Sequence, residues 1–134
     1  MVKKVVVASG KRKTAIARAV VRPGKGRVWI NGVPLEIYPH ELARLKMMEP
    51  LILAGERVKE VDIKVGVKGG GVMGQAEAAR TAISRALVQF FEDPQLEEVY
   101  RSYDRYLLVS DPRRKLPKTP LGRGARKRRQ TSYR

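Results

Sequence analysis

The chain has 134 residues, with 29 Lys and Arg against 13 Asp and Glu, for a formal net charge of +16. That length suits one domain with appendages. It contains no cysteine, which excludes disulfides and thiolate metal sites, and no apolar run approaches the 20 or so residues of a membrane-crossing helix.

The charge is unevenly spread. Residues 1–27 carry +9, residues 28–110 carry −2, and residues 111–134 carry +9. A balanced middle flanked by two cationic blocks points to a polyanionic partner, nucleic acid first and an anionic membrane surface second. The basic start, MVKKVVVASGKRK, has too short an apolar stretch for a signal peptide, so an intracellular location is expected.

In chain order, Lys3–Ala8 is β-branched and reads as a strand that Ser9-Gly10 breaks, followed by a basic turn, Gly10 to Thr14. Thr14–Arg22 alternates Ala15, Ala17, Ala19 and Val21 with Ile16, Arg18, Val20 and Arg22, a second strand. Pro23-Gly24-Lys25-Gly26 turns the chain into a third strand, Arg27–Ile30, so that the three form a meander with cationic bends; Asn31-Gly32 is a further turn. After a connector at Pro34–Tyr38, Pro39-His40-Glu41 suits a helix start. Leu42, Leu45 and Met48 give that helix its stripe, Pro50 ends or kinks it, and Leu51–Ala54 adds a turn before Gly55.

Glu60–Val67 is the clearest strand, with Val61, Ile63, Val65 and Val67 on its buried side. Gln75–Phe91 is the clearest helix, with a stripe of Ala79, Ala82, Ile83, Ala86, Leu87 and Phe90. Asp93-Pro94 stops it, Gln95–Arg105 forms a shorter helix, and Tyr106–Ser110 is a brief extended piece that lays the root of the C-terminal segment on the body. The order predicts an α+β domain over residues 1–110, two layers with helices on one face of a mainly antiparallel sheet.

Residues 111–134 hold seven Arg and three Lys against Asp111, with three Pro and two Gly. Their apolar content is too low for a core, so this segment is expected to be an extended tail, disordered when free, that gains order only on a dense anion. Its full reach is about 75–85 Å.

Several motifs have a plainer reading beside the chemical one. Gly69, Gly71 and Gly74 fit G-x-G-x-x-G, but the second parallel strand of a dinucleotide fold is missing, and Gln75-Ala76 stand where a phosphate loop needs Lys-Ser/Thr. A flexible turn near the helix start, or near an RNA phosphate, is the simpler account. His40 is the sole histidine and has no partner set for a metal or a catalytic triad. Nothing has the look of a nucleophile with its base, so no enzyme activity, cofactor, metal or small-molecule substrate is expected. Trp29, Tyr38, Tyr100, Tyr103 and Tyr106 are expected as core or sheet aromatics rather than base-stacking platforms. Tyr133, in the basic end, is a candidate for stacking or a phosphate contact.

The residues Ser9-Gly10-Lys11-Arg12-Lys13-Thr14-Ala15-Ile16-Ala17-Arg18-Ala19, Pro23 to Gly26 and Ile30-Asn31-Gly32 resemble the opening of small-subunit ribosomal protein nine. Gly69-Gly70-Gly71, Gly74-Gln75 and the helix from Ala79-Arg80 to Ala86-Leu87 resemble that family's centre. Asp111-Pro112-Arg113, Lys127-Arg128-Arg129 and Ser132-Tyr133-Arg134 resemble its tail, in the archaeal and eukaryotic form.

The resemblance implies a fold like the second domain of ribosomal protein five, built into the head of the cytoplasmic small subunit beside other head proteins. It implies a tail threaded through ribosomal RNA whose end approaches the anticodon stem-loop of peptidyl-site tRNA. On that basis Lys11, Arg12, Lys13, Arg18, Arg22, Lys25, Arg27, Arg113, Arg114, Lys115, Lys118, Arg123, Arg126 and Lys127 are expected on ribosomal RNA. Arg128, Arg129, Ser132, Tyr133 and Arg134 are expected on tRNA. Tyr133 departs from the lysine of the bacterial form. The competing class is a free-standing nucleic-acid-compacting or RNA-chaperone protein.

Overall fold

In the computed structural model, residues 5–113 and 117 are described. Five strands form one sheet: β1 (Val6–Arg12), β2 (Ala15–Pro23), β3 (Val28–Ile30), β4 (Val33–Pro34) and β5 (Val61–Lys68), in the order β1-β2-β5-β3-β4. All neighbours are antiparallel except β3 and β5. Three helices, α1 (Glu41–Ala54), α2 (Val72–Phe91) and α3 (Pro94–Tyr103), cover one side, giving the expected α+β class. Helix α2 lies on β1 and β2, α1 packs beside α2, and α3 meets both.

The buried side of the sheet is made of small or β-branched residues. Ala15, Ala17, Ala19 and Val21 of β2 and Val61, Ile63, Val65 and Val67 of β5 face Ala76, Ala79, Ala82, Ile83 and Ala86 of α2. The fit is tightest at Gly10, where an added Cβ would stand 2.3 Å from the carbonyl of Ala78 and 2.6 Å from the amide of Ala82. Ser9-Gly10 therefore does not break the first strand. It continues to Arg12 in register with β2, Gly10 opposite Ala17, and glycine is what lets helix and strand backbones touch. The turn is only Lys13-Thr14, with Lys13 at φ 55°.

The meander is also corrected. Strand β5 enters between β2 and β3, because its eight alternating residues offer β2 a full ladder that three-residue β3 cannot match. The Pro23–Arg27 loop crosses the start of β5, with Gly24 N–H on Glu60 O and Gly26 N–H on Val61 O, both 2.9 Å. Asn31 (φ 52°) and Gly32 (φ 81°) then turn β3 into β4, which takes in Pro34, the first residue of the expected connector, and Leu35–Ile37 follows as a 3₁₀ turn.

Helix α1 departs from its expected stripe. Ala43, Met47, Pro50 and Ala54 are buried, while Leu42 is 68% and Leu45 49% exposed. Pro50 lies inside a continuous helix that closes at Gly55. Its carbonyl accepts the hydroxyl of buried Tyr100 at 2.8 Å, and burial pushes that phenol's pKa well up.

Helix α2 begins at Val72, three residues earlier than expected, with Gly71 as N-cap. Gly69 (φ 79°) sits where a Cβ would lie 2.5 Å from Thr14 O, so the glycine run shapes a turn against the β1–β2 bend. Glu92, in a left-handed conformation, ends α2. Asp93 caps α3 by accepting the Gln95 amide at 2.9 Å, with Pro94 in the first turn. Residues Arg105–Leu107 form a short 3₁₀ turn rather than an extended piece, and Leu107 is buried.

Candidate nucleic-acid interface

Among the described residues no helix covers the other side of the sheet. Period-two alternation sends Lys11 of β1, Ile16, Arg18, Val20 and Arg22 of β2, and Lys64, Gly66 and Lys68 of β5 to that side. The register aligns them in rows: Lys11, Ile16 and Lys68; Ser9, Arg18 and Gly66; Val7, Val20, Lys64 and Trp29. Lys11, Arg18, Arg22, Lys64 and Lys68 are exposed and have no carboxylate within ion-pair distance among the described residues. Five like charges on one sheet face oppose folding of the isolated chain. A bound polyanion relieves that opposition.

Among the described residues Asp62 is the only acid at a strand position on this side, and it is already occupied. Its carboxylate accepts the backbone N–H of Lys25 (3.0 Å) and Arg27 (3.1 Å) and the Arg27 guanidinium (3.2 Å). Partial burial acts to raise its pKa, but these donors outweigh burial and hold it below the usual carboxylate value. A Cβ on Gly24 would strike this carboxylate at 2.2 Å. Asp62 thus folds the Pro23–Arg27 loop over the sheet end, which leaves the Lys25 side chain at its exposed tip. The Arg27 guanidinium lies 5.1 Å and the Lys64 ammonium 5.7 Å from the centre of the Trp29 ring. Trp29, Val20, Arg22, Arg27, Asp62 and Lys64 line an open cleft of about 610 Å³.

Arg12 differs from the other expected RNA contacts. Its side chain is only 13% exposed. It donates through Nε to Glu77 (2.6 Å) and through Nη1 to the carbonyl of Arg113, and it stands 3.9 Å from Asp111. It joins β1, α2 and the start of the C-terminal segment. Lys13 stands exposed at the hairpin tip. The Arg113 side chain is paired with Asp111 and lies over the Tyr106 ring at 5.4 Å. That pairing holds the Asp111 carboxyl down at about 2. Arg114, Lys115, Lys118, Arg123, Arg126, Lys127, Arg128, Arg129, Ser132, Tyr133 and Arg134 lie outside the described residues.

The polar side of α2 fastens the chain leading to that segment. The Thr81 hydroxyl is within donating distance of the carbonyls of Glu77 (3.1 Å) and Tyr106 (3.0 Å). Buried Arg80 donates to Asp104 at 2.7 Å, and its Nε stands 2.9 Å from Glu49 in an ion pair too poorly angled for a hydrogen bond. Arg85 donates to Leu108 O (2.7 Å) and to Ser9 O (2.8 Å). Asp104 and Glu77 both feel a raising effect of burial, overcome by hydrogen bonds from Arg80 and from Lys46 and Arg12 respectively, so both pKa values are lowered.

These fastening roles, and the places of Lys68 and Trp29 on the open face, went unread in the sequence, where Lys64 alternates away from the buried side of its strand but is given no RNA role. The available signals were the polar run Glu77, Arg80, Thr81, Ser84, Arg85 along an otherwise apolar helix, and the alternation of Lys64 and Lys68 with buried valines. Among the described residues no cluster of His, Asp and Glu could hold a metal ion, and His40 is an exposed N-cap residue without a side-chain capping bond.

A family model described as ribosomal protein S9/S16 matches residues 10–134. The small ribosomal subunit protein uS9 of Thermoplasma volcanium is 57% identical over 129 residues, covering 96% of this chain and 98% of that protein. The protein of the same name from Pyrobaculum aerophilum is 57% identical over 131 residues, covering 98% and 92%. That from Aeropyrum pernix is 54% identical over 149 aligned positions, covering 99% of each. With a family match over residues 10–134 and relatives this similar over nearly the whole chain, the chain belongs to the ribosomal protein S9/S16 family.

Proposed function

We propose that this protein is a non-enzymatic structural constituent of the small ribosomal subunit, seated in its head in the cytoplasm, that binds ribosomal RNA through the open sheet face and its basic turns. The observation that carries the reading is the set Lys11, Arg18, Arg22, Lys64 and Lys68, held on one face without a carboxylate partner among the described residues. Ribose-phosphate backbones supply the missing charge, and contacts of this kind position a protein without reading sequence. Lys13 and Lys25 extend the same surface at its bends. Arg12 acts inside the protein, as the clamp that sets where the C-terminal segment starts.

From that start, the +9 block at 111–134 follows ribosomal RNA, and its last residues, Ser132 to Arg134, contact peptidyl-site tRNA. Exposed Leu42, Leu45 and Ile52 on α1 suit a protein neighbour in the head, since uncovered apolar patches of this kind mark protein contacts.

The test is binding of the full chain to small-subunit RNA across a salt series. Each phosphate neutralised should contribute about 0.7–0.9 to the slope of log affinity on log salt, and a flat response would falsify the electrostatic reading. Removing residues 132–134 should leave assembly unchanged and weaken tRNA binding at the peptidyl site. A free-standing nucleic-acid-compacting protein would instead wash off small subunits at moderate salt and load in more than one copy.

A further inference from the structure

We propose that the cleft around Trp29 receives one unstacked nucleotide of single-stranded RNA, with its base against the indole and its phosphates on Arg22 and Lys64. The inference rests on the reading that the open sheet face meets RNA.

Trp29 is the only tryptophan of the chain, and its strand position opposite Lys64 places it on the side without a helix layer. A ring there gains little from the core. Instead it is approached by two cations, Arg27 at 5.1 Å and Lys64 at 5.7 Å, with Val20 and Arg22 lining the same cleft across β5. Cation–π contacts of this sort contribute modestly at exposed sites. A guanidinium or indole plane in a cationic surface is also what single-stranded nucleic acid uses for stacking.

The cleft volume of about 610 Å³ falls within the usual range for small-ligand sites, about 300–1,000 Å³, and fits a single nucleotide. Asp62 keeps its negative charge but spends it on the Pro23–Arg27 loop, so it fixes the wall of the cleft without turning phosphates away from Arg22 and Lys64. Gly66 is the next residue on this side of β5 after Lys64, opposite Arg18. A Cβ there would meet nothing within 4 Å, so the sheet does not require glycine for its own packing. The bare backbone leaves a flat approach between the flanking cations. Duplex RNA, with its bases stacked inside, cannot offer this partner.

The sole tryptophan makes the site directly observable. Full-length protein is titrated with octaadenylate, with an RNA duplex of equal length, and with inorganic polyphosphate, following Trp29 emission and total binding. Octaadenylate should quench the emission, while polyphosphate and duplex bind without comparable quenching. Trp29→Leu should weaken octaadenylate binding about 5- to 150-fold, the range given by one base–aromatic stack, with polyphosphate binding changed by less than about twofold, and Trp29→Phe should restore most of the loss. If all three ligands bind while the emission changes equally for all or for none, the nucleotide site is overturned and the phosphate-binding face stands. If none of the three binds, the reading of the face fails together with it.

Discussion

The two sides of strand β2 contrast sharply. Toward α2 it presents Ala15, Ala17, Ala19 and Val21, all fully buried; away from α2 it presents Ile16, Arg18, Val20 and Arg22, of which all but Val20 are exposed. On the covered side, size is the constraint, because the helix backbone lies almost against the strands. On the open side, charge is placed where it opposes the stability of the free chain and helps only an anionic partner. The lesson is that each side answers to a different test: substitutions on the covered side should change stability, and those on the open side should change RNA binding with stability nearly untouched.

The largest effect is expected from Gly10→Val. The new side chain would collide with main-chain atoms of Ala78 and Ala82, which cannot rotate away. The helix must lift from the sheet, and the loss should reach about 3 kcal/mol or more. Chemical denaturation measures it, and an unchanged midpoint would show that α2 does not sit this close.

Next comes the fastening of the C-terminal root. Thr81→Val removes a hydroxyl that serves partly buried carbonyls, and Arg85→Ala frees Leu108 and Ser9 carbonyls. Each should cost about 1–3 kcal/mol and speed amide exchange at Leu107 and Leu108, whose N–H groups bond to Asp104 and Arg105 carbonyls. Normal exchange there would mean that the root is held by burial of Leu107 alone.

Open-face substitutions sharpen the contrast from the other side. Arg18→Ala and Lys68→Ala should each lower the salt slope of RNA binding by about 0.7–0.9 while leaving stability within about 0.5 kcal/mol. Gly66→Val is the more telling variant. Valine suits a strand better than glycine on a scale spanning about 1 kcal/mol, so the protein should become equally or more stable yet bind RNA less well. A variant that binds unchanged would remove the centre of the face from the interface.

Strands β2 and β5 and helix α2 were legible in the sequence because each repeats one period over eight or more residues with a single buried side. The sheet order was not legible, since β3 has three residues and its choice of β5 over β2 depends on a loop pinned by Asp62, a contact between positions far apart in the chain. The orientation of α1 was hidden for a different reason: Leu42, Leu45, Met47, Met48, Leu51, Ile52 and Leu53 surround most of the helix, so no period selects a face. Arg12 looked like one more cation of a basic turn because Glu77 and Asp111, which occupy it, lie on later elements. Cationic content could be read locally; which cations remain unpaired is a property of the fold.

The smallest effect separates these two kinds of arginine by pH. Glu77 and Asp104 have folded pKa values below their ordinary ones, and Asp111 is held at about 2. A carboxylate depressed in the folded state binds fewer protons than in the unfolded chain, so its contribution is fully present above the unfolded pKa, near 4. That contribution is lost as pH falls through the folded value. The melting temperature should therefore hold from pH 7 to about 5 and decline from about pH 4.5 toward pH 2. Glu77→Gln, which abolishes the charge facing Arg12 and Lys46, should lower stability at pH 7 by about 0.2–1 kcal/mol, the range for partly exposed pairs, and flatten the decline by the same amount. Arg18→Ala should leave the slope as it is, having no carboxylate partner among the described residues to lose. If both variants reshape the acid profile alike, Arg12 is no clamp, and the distinction between paired cations within the body and unpaired cations on its open face dissolves.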